Sequence, residues 1–218
     1  VMALAAYTDQ IVFVGGTFTG IGSATAASAC PAASLVAAFR PGQGWECLPS
    51  GLGPSGTGVR ALAVTPDGKL VFAGGTFLRT SPYLAALNYS EGRGWTGITP
   101  AGAATAEVNA LLVHGDDLYV GGAFGSINGI DADRVARYRW STGEWAAVGT
   151  GITIGAVNTL WLWGGTTLVA GGDFVTSEFA RVAQLDGLDG AWRALASSGG
   201  PGDAVHALVA PAGGGPNA

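Results

Sequence analysis

VRALAVTPDGKLVFAGGTF, residues 59–77, is the stretch that decides the fold, because its pattern recurs along the chain. The copies VMALAAYTDQIVFVGGTF, VNALLVHGDDLYVGGAF and VNTLWLWGGTTLVAGGDF begin at Val1, Val108 and Val157. Each copy is followed by a further apolar run and then by a tryptophan. A fixed spacing of about 50 residues is typical of tandem supersecondary units. We therefore expect one small unit repeated along the chain.

Two further markers keep the same phase as the opening valines. The diglycine pairs are Gly15-Gly16, Gly74-Gly75, Gly121-Gly122 and Gly171-Gly172, and the tryptophans are Trp45, Trp95, Trp145 and Trp192. Because the pairs recur in every unit, we interpret them as architectural, with close backbone approach or an unusual φ inside a strand as their reason. The periodic tryptophans are predicted to lie in the core or between units.

Each unit contains four short apolar runs, which predict four strands, named A to D. In the second unit strand A is Val59–Val64, strand B is Lys69–Thr76, strand C is Leu84–Tyr89 and strand D surrounds Trp95. The runs are rich in Val, Leu, Phe and Tyr and end at turn-forming residues. Asp67-Gly68 predicts a tight turn between strands A and B. No window favours a helix, so we expect an all-β fold of four-stranded antiparallel units.

Four-stranded units in tandem resemble the blades of a β-propeller. The diglycine that ends strand B, and a tryptophan six residues after an aromatic or polar residue, are similar to kelch and galactose-oxidase repeats. Those pairs are Phe39/Trp45, Tyr89/Trp95, Arg139/Trp145 and Asp186/Trp192. The wording also resembles secreted or cell-surface propellers of the fungal polarity-marker type. The resemblance implies a single propeller over residues 1–218, with blades at about 1–53, 54–103, 104–152 and 153–200.

A fifth strand-A pattern, VHALVA at Val205–Ala210, is followed only by PAGGGPNA. It predicts an extra strand that has no sheet of its own. Two interpretations stay open: a longer parent protein completes the ring, or the strand clasps the first unit or a neighbouring chain. We favour the longer parent protein.

The composition excludes two classes of partner. Charged residues make up 11% of the chain and the net charge is −5, so the chain lacks the basic surface that nucleic acid requires. The longest apolar segments are interrupted and too short to span a bilayer. We expect protein partners or neighbouring copies in an assembly, with glycans as a further class.

Two features favour an extracellular or cell-surface location. Cys30 and Cys47 are predicted to form a disulfide, which implies an oxidising compartment; two buried free thiols are the alternative. Asn88-Tyr89-Ser90 matches the N-glycosylation acceptor pattern, although one such match also arises by chance.

The B–C and D–A loops are long and share one end of each unit, so we predict that this end binds partners. Packing between blades is the alternative use of these loops. The residues that follow the opening valines are Met2, Arg60, Asn109, Asn158 and His206. They either ring the mouth of a channel or bond to the backbone of the next blade, the interpretation we favour.

Asn128, Asp131 and Asp133 offer several oxygens in a short span, as a hard cation such as Ca²⁺ prefers. Since the spacing is not that of an EF-hand loop, we favour a solvated turn and predict no metal site.

No catalytic constellation is visible in the sequence. The two histidines follow no metal spacing, and the acidic residues are scattered. We therefore predict a non-enzymatic extracellular structural or interaction module without cofactors, within a larger cell-surface or filament assembly. The alternatives are a fragment of a propeller enzyme, carbohydrate-active or oxidase-like, and a glycan-binding propeller that uses the long-loop end. Trp161 and Trp163 lie two residues apart on one face of strand A in the fourth repeat, and we expect them in the core; an exposed pair would instead form a platform for a sugar or a protein.

Overall fold

The computed structural model describes residues 1–18, 21, 35–49, 52–53, 57–78, 81–187, 190–195 and 200–209. Within these residues the chain forms strands and no helix. The strands are β1 (Ala3–Tyr7), β2 (Ile11–Gly15), β3 (Val36–Arg40), β4 (Gly44–Cys47), β5 (Val59–Val64), β6 (Leu70–Gly75), β7 (Leu84–Asn88), β8 (Trp95–Thr96), β9 (Val108–His114), β10 (Asp117–Gly122), β11 (Ser126–Ile127), β12 (Ile130–Asp131), β13 (Val135–Arg139), β14 (Glu144–Ala147), β15 (Val157–Trp163), β16 (Thr167–Val175), β17 (Ala180–Asp186) and β18 (Arg193–Ala194).

Four sheets, one from each sequence repeat, make up the fold. Sheet 1 has the order β1-β2-β3-β4, sheet 2 β5-β6-β7-β8, sheet 3 β9-β10-β13-β14 and sheet 4 β15-β16-β17-β18. The strand pairs are antiparallel wherever their register is recorded. The predicted all-β fold of four-stranded antiparallel sheets is confirmed.

The four repeats group in pairs into two compact units, each about twice the length of one sequence repeat. Unit 1 is Val1–Val108 and unit 2 is Asn109–Ala218. Unit 1 contains sheets 1 and 2, and unit 2 contains sheets 3 and 4. We call the face of each sheet that carries the first glycine of the diglycine its front face, and the opposite face its rear face. In unit 1 the core joins the front of sheet 1, including Phe13, to the rear of sheet 2, including Leu62 and Val71. In unit 2 it joins Tyr119 of sheet 3 to Leu160 of sheet 4.

The first glycine of each pair leaves room for the opening valine of the next repeat. A Cβ added to Gly15 would lie 2.6 Å from Cγ1 of Val59, which no structure tolerates without movement. The same holds at the other three sites. An added Cβ would lie 2.5 Å from Cγ1 of Val108 at Gly74, 2.7 Å from Cγ1 of Val157 at Gly121 and 2.7 Å from Cγ1 of Val205 at Gly171. One valine-over-glycine contact therefore explains why both markers share one period.

The second glycine has a different steric reason. A Cβ at Gly75 would lie 2.0 Å from the carbonyl oxygen of Gly58, and one at Gly172 equally close to that of Ala156. The amide of Gly75 donates to the carbonyl of Tyr83 at 3.0 Å, so this position also ties strand B to the start of strand C. Close backbone approach on this side excludes any side chain.

The periodic tryptophans lie in different environments. Trp95, Trp145 and Trp192 are buried, whereas Trp45 is half-buried. The Trp192 indole donates to the carbonyl of Val148 at 3.2 Å and so links sheet 4 to the end of sheet 3.

The six-residue spacing noted in the sequence does not give one recurrent contact across strands C and D. Trp45 pairs with Phe39, but Trp95 pairs with Leu87 and Trp145 with Tyr138. The C–D turns differ in length, so an equal spacing along the chain reaches different partners.

The predicted strand Val205–Ala210 does not form among its described residues, 205–209. Val205 covers Gly171, and its amide donates to the carbonyl of Gly172 at 2.9 Å. A strand A normally pairs with strand B of its own sheet, and here residues 205–209 pair with none.

The turn at Asp67-Gly68 is wider than the two-residue hairpin predicted. Only Gly68 has a positive φ, of 70°, and the amide of Thr65 donates to the carbonyl of Leu70 at 3.0 Å. The Thr65 hydroxyl donates to Asp67 at 2.6 Å and makes this longer turn self-contained.

Candidate functional site

We call the end of each sheet that carries the B–C and D–A loops its long-loop end. In unit 2 these loops contact one another. Arg134 ties two of these loops together. Its guanidinium donates to the carbonyls of Gly155 at 2.8 Å, Thr153 at 3.2 Å and Phe124 at 3.3 Å. Since three carbonyls hold one half-buried guanidinium, the neighbouring loops form a rigid rim.

Arg134 owes its position to a backbone conformation that recurs in the repeats. Its φ is 78°, and Tyr83 and Arg181 at the equivalent positions of sheets 2 and 4 have φ values of 70° and 64°. Each immediately precedes the strand-C residue that pairs with the first glycine. A positive φ in a residue with a side chain is strained, and such strain concentrates at functional or tightly constrained sites. No sequence signal marks these positions.

Asp173 caps the start of strand A in sheet 4. Its carboxylate accepts a hydrogen bond from the amide of Ala156 at 2.5 Å. Thr76 holds the equivalent position in sheet 2, where its hydroxyl accepts from the amide of Gly58 at 3.0 Å. The Arg181 guanidinium donates to the backbone carbonyl of Asp173, so these two residues meet through the backbone.

A groove of about 580 Å³ opens at the long-loop end of sheet 4. Its lining combines apolar side chains with a polar rim and comprises Thr176, Ser177, Glu178, Phe179, Ala180, Val182, Ala194, Leu195, Gly200 and Pro201. Val175, which directly precedes the lining residue Thr176 in the chain, is also exposed, at 47%. Clustered exposed apolar residues with a polar rim are typical of binding surfaces.

Met2, Arg60, Asn109, Asn158 and His206, which follow the opening valines, hold the same position in their repeats. Within unit 2 the side-chain amide Nδ2 of Asn109 donates to Oδ1 of Asn158 at 3.3 Å, and within unit 1 the Arg60 guanidinium lies 3.5 Å from the Glu107 carboxylate. Arg60 and Asn158 fall at register shifts of strand A, which the sequence did not reveal. His206 is exposed, as is Met2. Whether they bind a ligand stays a prediction.

The segment around Asn128 forms a hairpin where the sequence predicted a loop. Asn128 and Gly129 connect β11 to β12 with φ values of 52° and 76°. Asn-Gly is the strongest short hairpin signal in sequences, so this element could have been predicted. Asp131 is exposed on β12, and Asp133 lies 3.9 Å from Arg134.

The described part of the chain contains neither a metal-binding group of side chains nor a helix that could span a membrane. No group of three or more His, Cys, Asp or Glu side chains there could hold a metal ion. Nor does any helix there have the length and apolar character needed to cross a bilayer.

The predicted covalent modifications remain predictions. Cys30 lies outside the described residues, and Cys47 is exposed at the end of β4. The Asn88 side chain accepts hydrogen bonds from the Ser90 hydroxyl at 3.0 Å and the Glu91 amide at 3.3 Å, as in a turn.

Two polar clusters have no counterpart among the residues predicted from the sequence. In unit 1 the Tyr89 hydroxyl donates to Glu46 at 2.8 Å, and the Arg40 guanidinium donates to Glu46 at 2.9 Å and to Tyr89 at 2.5 Å. Burial and the bond to Glu46 raise the pKa of Tyr89. All three groups are satisfied by one another, which makes the cluster a clip between sheets 1 and 2.

The second cluster lies on the front of sheet 3. Arg139 donates to both carboxylate oxygens of Asp117, at 2.9 and 3.0 Å, and Arg137 lies 3.6 Å from the same carboxylate. Asp117 and Arg139 are direct cross-strand partners. Opposite charges at facing strand positions would have been the signal for this pair.

No family model and no curated protein match this chain. Solved structures do match. The extracellular domain of BT4673 from B. thetaiotaomicron, described as a hybrid two-component system, aligns with 93% of this chain at 13% identity and a TM-score of 0.56. A second structure of a BT4673 extracellular domain, described as a one-component system, aligns with 84% of this chain at 15% identity and a TM-score of 0.50.

The computationally designed Ika4 protein is also similar, with 15% identity and a TM-score of 0.52 over 85% of this chain and 90% of Ika4. The chain spans only 23% and 20% of the two BT4673 chains. At these identities the similarity concerns the fold alone: this chain is an all-β protein of four-stranded antiparallel sheets.

Proposed function

We propose that the chain is a non-enzymatic extracellular interaction module whose four sheets are blades of a β-propeller, related to kelch-like repeats. The valine-over-glycine contact supports the propeller, because it joins each repeat to the next in the same way. A crystal structure tests the architecture. Every sheet should pack face to face on the next around one axis, and a two-layer sandwich would contradict the proposal.

The observation that carries the interaction role is the groove at the long-loop end of sheet 4. Its apolar lining is accessible, while Arg181, which lies between two lining residues in the chain, donates to the backbone carbonyl of Asp173. Glu178 is exposed on its rim and the chain is acidic overall. An extended peptide with an apolar side chain next to a basic one fits this chemistry.

Selection from a random peptide library on the immobilised chain tests this role. The enriched peptides should share an apolar residue beside Lys or Arg, and Leu195→Asp should abolish their binding. Leu78→Asp is the matched control, since Leu78 is an exposed leucine between β6 and β7 and 56% accessible. Failure to enrich peptides, or binding that survives Leu195→Asp, would contradict the proposed site.

The extracellular placement has independent support. The BT4673 domains with a similar fold are themselves described as extracellular. The predicted disulfide and the glycan at Asn88 belong to the same compartment.

A glycan-binding role is favoured by one separate observation. Trp163 is 62% exposed, and Trp161, two residues earlier on the same face of β15, is half-buried. Aromatic faces of this kind suit the apolar side of a sugar ring. A glycan array probed with the chain and with Trp163→Ala distinguishes the two roles. Glycan binding lost on substitution would favour the second role, and an array without signal would exclude it.

A further inference from the structure

The rear face of sheet 1 has the composition of an internal interface but is exposed. Leu4 corresponds to Leu62 in sheet 2 and to Leu160 in sheet 4, since each pairs with the residue before a first glycine. Leu62 and Leu160 are only 8% and 7% accessible, whereas Leu4 is 65% accessible. Val1, the equivalent of the buried Val59, is 79% accessible. This face therefore presents the valine and leucine that elsewhere bury themselves against a neighbouring sheet.

The front face of sheet 4 is the complementary surface. It carries Gly171, the same receptor for an opening valine that Gly15 and Gly121 provide inside the two units. Trp163, which pairs with Thr167, lies on the same face and is exposed. Sheet 4 thus offers an aromatic surface and a glycine recess that its own unit covers only in part.

Residues 205–209 lie at that recess but are only partly buried there. Val205 sits over Gly171, but both Val205 and Leu208 stay half-buried and Val209 is 92% accessible. Their pattern, valine and then leucine three residues later, is the pattern of Val1 and Leu4. A segment without a partner strand is held by few contacts and opens at low cost.

We propose that the rear face of sheet 1 in one copy of the chain binds the front face of sheet 4 in a second copy. Val1 and Leu4 take the places of Val205 and Leu208, which are displaced. The contact repeats the interface that joins sheets 1 and 2 and sheets 3 and 4. Because two different faces meet, the interface is heterologous and head-to-tail.

Sedimentation velocity over a range of concentrations tests this proposal. The chain should self-associate, and Leu4→Asp and Trp163→Asp should each yield monomers, because each places a charge in the apolar contact. Both residues are exposed, so neither change disturbs the fold. Leu78→Asp, on an exposed leucine outside both faces, should associate as the unchanged chain does.

Mixing the two monomeric variants separates a heterologous contact from an isologous one. Leu4→Asp keeps an intact sheet 4 and Trp163→Asp keeps an intact sheet 1, so their equimolar mixture should form heterodimers. A chain ending at Ala204 lacks the competing segment and should associate about tenfold more tightly or better.

A monomeric unchanged chain at every concentration would overturn the proposal. So would association that survives Leu4→Asp, a mixture that stays monomeric, or weaker association of the shortened chain.

Discussion

At the scale of single residues, two glycines and one valine account for the periodicity. The first glycine makes room for a side chain of the next repeat, and the second, at Gly75 and Gly172, makes room for a backbone carbonyl. The two glycines answer different steric demands although they are adjacent. Neither demand arises from backbone flexibility, since neither Gly74 nor Gly75 has a positive φ.

Gly15→Ala should lower the free energy of unfolding by about 1–3 kcal/mol, because its methyl group overlaps Val59. Urea unfolding followed by tryptophan fluorescence measures the change. Gly94→Ala is the control and should stay within about 0.5 kcal/mol, since nothing lies within 4 Å of a Cβ at that site. Adding Val59→Ala to Gly15→Ala should cost less than the sum of the single changes. Additive effects would contradict a direct contact.

Asp67 makes the stability of the chain depend on pH in the acid range. The Thr65 hydroxyl and the Lys69 amide lower the pKa of Asp67 to about 2, against about 3.9 in an unfolded chain. A lowered pKa in the folded state contributes stability above pH 4 that is lost as the pH falls towards 2. Urea unfolding at pH 5, 4, 3 and 2 should show this loss, and Asp67→Asn should remove that part of it. The effect is small, because the side chain is about half exposed.

At the scale of elements, local sequence and neighbouring sheets determine different things. The hairpin of β11 and β12 follows from its Asn-Gly turn, and strand alternation follows from the apolar pattern. The segment at Val205 has the same local pattern as the four A strands but forms no strand. Strand A needs strand B beside it, because its backbone groups have no other partner.

Gly129→Ala should destabilise the β11–β12 hairpin by about 1–2 kcal/mol, because a side chain at φ 76° is strained. Hydrogen exchange of the hairpin amides should accelerate accordingly, while the amides of β16 keep their protection. Gly125→Ala serves as the matched change, since Gly125 has no positive φ and its Cβ would be 3.8 Å from Arg134. Equal acceleration in both variants would argue against the turn as the cause.

Tyr89→Phe should lower the stability of unit 1 by about 1 kcal/mol, because it removes the hydroxyl that links Arg40 and Glu46. The ring contact with Phe13, at 5.1 Å between centroids, is kept in this variant. A double-mutant cycle with Glu46→Gln, measured by urea unfolding, should show coupling between the two changes. Independent effects would show that the clip does not join the sheets.

At the scale of the whole molecule, the two units hold separate cores. One core lies between sheets 1 and 2 and the other between sheets 3 and 4. Both are built from the same contacts, so the repeat provides the interface as well as the sheet. This is why an exposed copy of the interface, on the rear of sheet 1, suggests an assembly of chains.

The proposed extracellular location predicts that Cys30 and Cys47 are joined. The intact mass of the protein isolated from its source under non-reducing conditions should be lower by two hydrogens than the reduced mass. Alkylation should label neither cysteine before reduction and both after it. Quantitative labelling before reduction would place the protein in a reducing compartment.

The sequence predicted the repeat period, an all-β fold without helices and four strands in each repeat. Among the described residues the structure has this architecture. These features depend on spacings of residues that are close in sequence, such as the diglycine after a β-branched run. The groove beside Leu195 and the three hydrogen bonds of Arg134 could not be predicted from the sequence, since each depends on loops that are separated in sequence. The left-handed conformations of Tyr83, Arg134 and Arg181 carry no signal either, because none is a glycine or an asparagine.

By itself, then, the sequence determined the four-stranded repeat, because strand and turn preferences are local and the first glycine of each pair meets a steric requirement that every copy shares. Only the tertiary structure decided which copies are covered. Leu4 and Leu62 occupy the same position in their repeats, yet one is exposed and the other buried. Burial depends on whether another sheet lies against the face, and a repeated sequence contains no record of that difference.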